Sequence, residues 1–408
     1  PAVVVSYLLT GAIVFFVMRM IGEMAMAYPD TGAFTEFSRI GLGNLAGFTS
    51  GWLYWYFWVV VVAFEAIVGA RIMTQWLPPE IPPWVTATVL TLLLTGSNLL
   101  STRSYGEFEF WFSSIKVAAI IAFILVAAAF AFGLTSPDGA TFANLTDHGG
   151  FAPKGWVPVV ATVTTVFFSL VGAEITTVAA AESKDPEKAV VRMATTITWR
   201  ILLFYVVSLG LIVCVVAWPM VKPGESPFTL ALNVMGFKWG SAVMSFIILT
   251  AVLSCLNSAV YVCSRVLHVM ADRGDAPRWL AEVNSQRVPA RSILLGSLVG
   301  VIGVVIAIVS PNRVFAFLIS TTGTVILFVY LMTAVAHIRL RRRHPETETK
   351  AVRVWLFPWL SYVTIGAMVA VLIAMAVTPE LASQFYFSLL TLAVVVGSYY
   401  GFRKPRGR

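Results

Sequence analysis

The sequence has few charged residues. Only 12% of its 408 residues are charged, whereas 58% are hydrophobic. A soluble globular protein carries about 25% charged residues, so this composition excludes that class. The apolar residues form long runs and do not alternate with polar ones, which predicts an all-α polytopic membrane protein and not a strand barrel. The net charge of +8 could suggest nucleic acid, but its distribution along the chain points to membrane orientation instead.

Residues that carry chemistry are also scarce. The three cysteines all lie in apolar runs, so they predict buried thiols and neither a disulfide framework nor a metal site. The four histidines are scattered, and none has a partner at metal or catalytic-dyad spacing. No Walker-type phosphate loop occurs, so the chain has no ATPase of its own. We therefore expect no enzyme, cofactor or metal. An ion channel or a membrane-embedded redox subunit stays as an alternative from another class.

Hydrophobic runs long enough to cross a bilayer as helices recur along the whole chain. They predict eleven spans, near 2–27, 45–77, 84–100, 110–134, 158–181, 194–218, 240–270, 292–310, 314–337, 357–377 and 382–400.

The basic residues between these spans predict orientation. If sides alternate and Pro1 lies outside, the inside loops hold twenty Lys and Arg residues and the outside loops hold four. This bias predicts a cytoplasmic C-terminus. The chain opens with Pro1 and is apolar from Ala2 onward, and an external start of this kind fits a preceding span that is missing. We therefore expect eleven of twelve helices in this chain.

The run 166–177 lies in the middle of a predicted span and is poorly suited to an ordinary spanning helix. It contains Ser169, Gly172 and Glu174 within six positions. A carboxylate near mid-membrane costs about 3 kcal/mol on insertion scales, so it must face protein or water. Glycine allows the backbone to leave helical geometry, and broken backbone at this depth is tolerated where it lines a cavity. The run predicts either a discontinuous helix at a substrate site, with Phe168 over the ligand, or a packing helix of small residues.

Four ionisable residues lie inside predicted spans and are functional candidates: Glu65, Lys116, Glu174 and Arg200. A desolvated Lys116 could exchange a proton or act as a fixed cation at an ion site. It could equally extend to the nearby interface, because it lies close to the start of its span. Glu65 and Glu174 could accept protons in a relay or anchor backbone donors.

Small polar residues also cluster in two later spans, around Ser254 and around Thr321. Such sets usually mark contacts between helices. Thr321 is also placed among the candidate substrate-binding residues.

Several runs together resemble the amino-acid permeases of the amino acid–polyamine–organocation superfamily, over nearly the whole chain. They are Gly22-Glu23-Met24-Ala25 with Pro29 and Gly32; Tyr105-Gly106-Glu107-Phe108-Glu109-Phe110-Trp111-Phe112 with Lys116; Phe168-Ser169 to Gly172-Ala173-Glu174; and Ala181-Glu182-Ser183 with Asp185-Pro186. The runs 94–101 and 178–183 look like those of bacterial 4-aminobutyrate (GABA) permeases.

The resemblance implies a LeuT-type inverted-repeat fold in which broken helices 1 and 6 hold the substrate. On that scheme this chain begins at helix 2. Residues 1–134 complete the first repeat, 135–340 form the second, and 341–408 hold two additional helices and a cytoplasmic tail. The family's aromatic gate falls on Phe168 and its unwound segment on Ser169, Val171 and Gly172. Glu174 matches the carboxylate just after that segment. The lysine that replaces sodium in proton-coupled members falls on Lys116.

The resemblance further implies a secondary transporter in the bacterial cytoplasmic membrane. It would import a small amino acid with a proton by alternating access, without an ATPase or nucleic-acid partner. GABA is the expected substrate, and proline, alanine or an aromatic amino acid is the alternative. One departure is large, because the glycine-rich helix 1 that cradles the substrate carboxylate is absent. We therefore expect the 408-residue chain not to transport by itself, and the complete protein to do so.

Overall fold

The computed structural model describes residues 1–28, 34–100, 102–181, 186–222, 225–237, 239–286, 288–309, 311–343 and 353–402. Within these ranges the regular structure is helical throughout, as the composition predicts. The helices are α1 Val3–Ala27, α2 Thr35–Leu42, α3 Asn44–Met73, α4 Pro83–Leu100, α5 Thr102–Ala131, α6 Val157–Leu170, α7 Ala173–Ala181, α8 Pro186–Arg200, α9 Ser208–Val215, α10 Pro227–Val234, α11 Gly240–Asp272, α12 Ala290–Val309, α13 Pro311–Arg343, α14 Trp359–Val377 and α15 Pro379–Phe402.

The long apolar helices confirm a multi-pass membrane protein. In the described ranges, nine helices are long and apolar enough to cross a membrane, and Val157–Leu170 and Ala290–Ile306 are shorter apolar helices. All eleven lie where a span was predicted. One predicted boundary is wrong by a functionally important amount. Helix α5 begins at Thr102 and not near 110, so Lys116 lies about four turns inside the helix.

Helix α3 is the central element of the fold. It packs against α2, α4, α11, α12 and α13, and most of its length is buried. Two glycines allow one of these neighbours, α12, to come close. Gly303 of α12 lies against Ala63, and Gly300 against Val62. This is the packing that membrane helices favour, because lipid offers no hydrophobic drive for helices to associate.

A similar contact joins α13 to α6. A Cβ at Gly323 of α13 would overlap the backbone carbonyl of Thr164 in α6. Only glycine allows the two backbones to approach this closely, so Gly323 fixes the position of α6 against α13.

Helix α1 bears on two expectations from the sequence. It covers Val3–Ala27 without interruption, so the structure opens with a complete membrane-length helix and does not support the expectation that a first helix is missing. The run 22–25 forms the last turns of α1. Pro29, Gly32 and residues 182–185 of the other quoted runs lie outside the described residues.

Two buried ionic clusters fasten connecting segments to the helix ends. Glu23 of α1 accepts hydrogen bonds from Arg341 of α13 at 3.2 Å and from the amide of Val354 at 2.7 Å. Arg39 of α2 pairs with Glu36 and with Asp275, which follows α11. Because these charges are paired with one another, they can lie in the protein interior.

Helices α8 and α9 are joined by a π-helical turn at Ile201–Val207. The turn directs Tyr205 toward α6, where its hydroxyl donates to the backbone carbonyl of Ser169 at 2.9 Å. π-helical turns inside helices frequently occur at functional sites.

We expect Gly323→Ala to destabilise the protein by about 1–3 kcal/mol, because the added methyl group forces α6 away from α13. Gly366→Ala is the matched control, since a Cβ at Gly366 in α14 meets nothing within 4 Å. Thermal unfolding in detergent should show a lower midpoint for Gly323→Ala only. Equal midpoints for the two variants would contradict the close contact.

Candidate functional site

The predicted discontinuous helix is present. Helix α6 ends at Leu170, Val171 is extended with φ −68° and ψ 150°, and α7 begins at Ala173. Between them Gly172 has φ +109°, a conformation that side-chain-bearing residues rarely adopt. The backbone therefore leaves helical geometry at Val171-Gly172, in the middle of a span.

Glu174 holds this break in place. Its side chain is fully buried, and it accepts hydrogen bonds from Tyr54 of α3 at 2.7 Å and from Tyr330 of α13 at 2.9 Å. It also accepts from the backbone amide of Gly172 at 3.0 Å. A buried carboxylate must find such donors, because hydrocarbon supplies none. The sequence predicted that Glu174 either accepts protons in a relay or binds backbone donors. The hydrogen bond from the amide of Gly172 fits the second role.

Aromatic side chains border the break. Phe168 is half-buried on α6 and contacts Phe57 and Phe64 of α3, with ring centroids 6.0 and 5.1 Å apart. On the other side, the Tyr205 hydroxyl takes up the Ser169 carbonyl, and Tyr205 stacks on Tyr7 of α1. The Ser169 hydroxyl itself turns back to the carbonyl of Val166. The break thus lies between aromatic rings from three helices.

A second polar group lines a separate cavity of about 310 Å³ between α3, α5, α10 and α11. Its walls are mostly apolar, but they include Glu65, Lys116 and Cys255. Glu65 is buried, and it lines the cavity together with Cys255. The structure therefore brings together two of the ionisable residues that the sequence singled out.

Lys116 contacts polar groups on two helices. Its ammonium group donates to the hydroxyl of Ser254 in α11 at 2.7 Å, and it lies 3.9 Å from the carboxylate of Glu109 in α5. Both roles that the sequence allows for this lysine stay predictions. Ser254 was predicted to lie at a contact between helices, and it also accepts the hydrogen bond from Lys116.

The remaining candidates lie elsewhere. Thr321 is buried, and its carbonyl accepts a hydrogen bond from Ser388 at the contact between α13 and α15. Its neighbour in space from α3 is Tyr56. Arg200 ends α8 on an exposed face, directly before the π-helical turn. Neither contact joins these residues to the break.

Three residues at these two sites were not predicted from the sequence. Tyr54 and Tyr330 sit in ordinary apolar runs, so nothing marked them as donors to Glu174. Glu109 stood just outside the predicted span, although Glu109, Ser113 and Lys116 are spaced to share one face of a helix. That spacing is the signal that could have identified it.

We expect Tyr54→Phe and Tyr330→Phe each to lower stability by about 1–3 kcal/mol, because each leaves the buried Glu174 with one donor fewer. Glu174→Gln should lower stability further. The three groups around this side chain are all hydrogen-bond donors, and the NH₂ group of glutamine would add a donor that has no acceptor there. Tyr386→Phe on the exposed face of α15 is the control. Midpoints of thermal unfolding in detergent measure the effect, and unchanged values for both tyrosine variants would rule out the anchor.

Comparison with known proteins is consistent with this architecture. Residues 1–404 match the model of the amino acid permease family. The chain is 42% identical over 409 residues to the γ-aminobutyric acid permease of Bacillus subtilis strain 168. This match covers 100% of the chain and 87% of that relative. It is 41% identical over 384 residues to the γ-aminobutyric acid permease of Escherichia coli K12, covering 93% and 82%. The aromatic amino acid transport protein of Escherichia coli K12 is 34% identical over 412 residues, covering 100% and 89%.

The fold itself also has solved counterparts. The manganese transporter of Eremococcus coleocola matches with a TM-score of 0.56 at 13% identity, covering 98% of the chain and 86% of that structure. This likeness shows the LeuT-type transporter fold that the sequence predicted. The chain therefore belongs to the amino acid permease family.

Proposed function

We propose that the protein imports GABA together with a proton. Two relatives at 41 and 42% identity are GABA permeases by name, whereas the aromatic amino acid transport protein is at 34%. Another neutral amino acid, such as proline, alanine or an aromatic one, is the second candidate. The observation that carries the transport proposal is the helix break at Val171-Gly172, since broken helices at mid-membrane form substrate sites in transporters.

The substrate would lie against this break. Helix α6 ends there with carbonyl groups that lack helical partners, and such groups can receive the ammonium end of an amino acid. Phe168 would cover the substrate on one side, with Ser169, Val171 and Gly172 along the unwound backbone. Thr321 stays a candidate, although its described contacts face α15. Closure would then consist of movement of α6 and α7 relative to α3, with Phe168 sliding on Phe57 and Phe64.

The proton-linked residues would be Lys116 and Glu65, which share the cavity between α3 and α11. A lysine whose ammonium group is held by a serine hydroxyl in a mostly apolar cavity could release a proton and take it up again as the cavity opens and closes. Glu174 was also assigned to coupling. Its three hydrogen bonds support a role in which it holds the non-helical backbone in place and does not itself exchange the transported proton.

The setting follows from the same proposal. The protein would reside in the bacterial cytoplasmic membrane with its C-terminus in the cytoplasm, as the loop charges predict. Residues 1–134 would be the remainder of the first inverted repeat and 135–340 the second, followed by two further helices. The amino acid, the proton and the lipid bilayer would be its partners, with no ATPase and no nucleic acid.

Uptake of labelled GABA by cells that express the protein tests the substrate. We expect saturable uptake that a proton uncoupler abolishes, and that unlabelled GABA blocks better than α-amino acids. Uptake blocked by an aromatic amino acid or proline, and not by GABA, would discard the proposed substrate and keep the carrier.

Lys116→Ala tests the coupling. We expect accumulation of substrate to fall to the level that wild type shows with the uncoupler, because the chargeable group is gone from the cavity. Lys222→Ala, in an exposed connection, serves as the control. Uncoupler-sensitive accumulation in Lys116→Ala at the wild-type level would remove Lys116 from the coupling role.

A further inference from the structure

Glu109 is a partly buried carboxylate that neither the substrate site nor the proposed proton site uses. It lies on α5, and seven residues separate it from Lys116, so both side chains project from the same face of the helix. Opposite them on α11 stand Ser254 and Ser258, which are one turn apart and also share a face. The two helices present matching polar stripes to each other within an apolar part of the chain.

Three hydroxyl groups converge on this carboxylate. Ser113 donates to Glu109 at 2.9 Å, Ser254 at 2.7 Å and Ser258 at 3.3 Å. A carboxylate supplied with this many donors is held in one orientation, because each lost bond would leave a polar group without a partner in the membrane. Glu109 is therefore fixed relative to both α5 and α11.

Ser254 connects Glu109 to Lys116. Its oxygen accepts from the Lys116 ammonium at 2.7 Å, while its own hydrogen points to Glu109 Oε1. The ammonium also lies 3.9 Å from Oε1 directly. Since the hydroxyl can donate only one hydrogen, its donation to Glu109 leaves its lone pairs aimed at Lys116. The orientation of the serine thus depends on the carboxylate.

We propose that Glu109 is the positioning residue for Lys116, which it holds against α11 through the hydroxyl of Ser254. This inference rests on the proposed proton-coupled function. The charge of Glu109 and the bridge through Ser254 keep the ammonium group at the mouth of the cavity that Glu65 lines. Lys116 thereby has one carboxylate on its own helix and another across the cavity.

The other groups around Lys116 are few. Helix α3 contributes Glu65, and α11 contributes Cys255. The π-helical turn places Tyr205 near Cys255. Helices α4 and α10, which flank this region, carry no ionisable side chain. Glu109 and Glu65 are therefore the two carboxylates that can balance the lysine charge among the described residues.

The dependence of uptake on external pH tests this role. Without the negative charge of Glu109, protonation of Lys116 becomes less favourable, so uptake should fall at a lower pH than in wild type. For Glu109→Gln we expect the pH of half-maximal uptake to move down by about one unit, which is the size expected for a charge pair near 4 Å in a partly exposed site. Glu109→Asp keeps the charge and should recover most of the wild-type midpoint.

Glu107→Gln is the matched control, because it removes the same charge from an exposed position two residues away on the same helix. In Glu107→Gln the pH of half-maximal uptake should stay at the wild-type value. A shift as large as that of Glu109→Gln would mean that any loss of surface charge has this effect, and it would overturn the inference. So would a Glu109→Gln protein that loses maximal rate with no change of midpoint, since that is a structural role.

If Glu109→Gln fails to reach the membrane, Ser254→Ala supplies the test. It removes the bridging hydroxyl and leaves both charges, so the pH of half-maximal uptake should move in the same direction by a smaller amount. An unchanged value overturns the proposal.

Lys116→Ala separates this inference from the proposed function. In its background Glu109→Gln should have no further effect on pH dependence. Wild-type pH dependence in Lys116→Ala itself would instead defeat the coupling proposal.

Discussion

The hydrogen bonds that the buried carboxylate of Glu174 accepts hold the helix break of this membrane protein in place. A helix can stop and restart inside a bilayer only if its freed backbone groups are satisfied within the protein. Here one buried side chain binds the freed amide of Gly172 and, at the same time, hydroxyls from α3 and α13. The break is thus tied to two helices that belong to the packed centre of the molecule, and its geometry is set by them rather than by the local sequence alone.

Helix α3 connects this anchor with the cavity of Lys116. Tyr54, which binds Glu174, and Glu65, which lines the cavity, stand on the same helix about three turns apart. Because α3 is buried and contacts α11, α12 and α13, it acts as a rigid element between the two polar groups. A displacement of the break that carried Tyr54 with it would also shift Glu65 relative to Lys116. This is a physical route by which substrate and proton could affect each other.

Much of this organisation follows from the sequence, and the parts that do not have physical reasons. The eleven apolar segments were predictable because a bilayer demands length and hydrophobicity that few other environments require. The break was predictable because Gly172 and Glu174 are out of place in a spanning helix. Tyr54 and Tyr330 were not, since a tyrosine in an apolar run looks the same whether its hydroxyl binds a carboxylate or reaches the headgroups. Glu109 was lost through a boundary error, because the polar first turns of α5 read as a loop.

The π-helical turn at Ile201–Val207 has a consequence for how this helix can vary. Such a turn accommodates one residue more than the regular helix it interrupts. Removing a single residue there would let the segment close into a regular α-helix and leave the faces of α8 and α9 nearly as they are, because the bulge already takes up that residue. Removing a residue from the regular part of α8 would instead rotate the preceding turns by about 100° and turn their contacts away from α1 and α7. The π-helical turn is therefore a place where the helix can lose a residue and keep the interface of α8. What such a loss would change is the direction of Tyr205, which now reaches the carbonyl of Ser169.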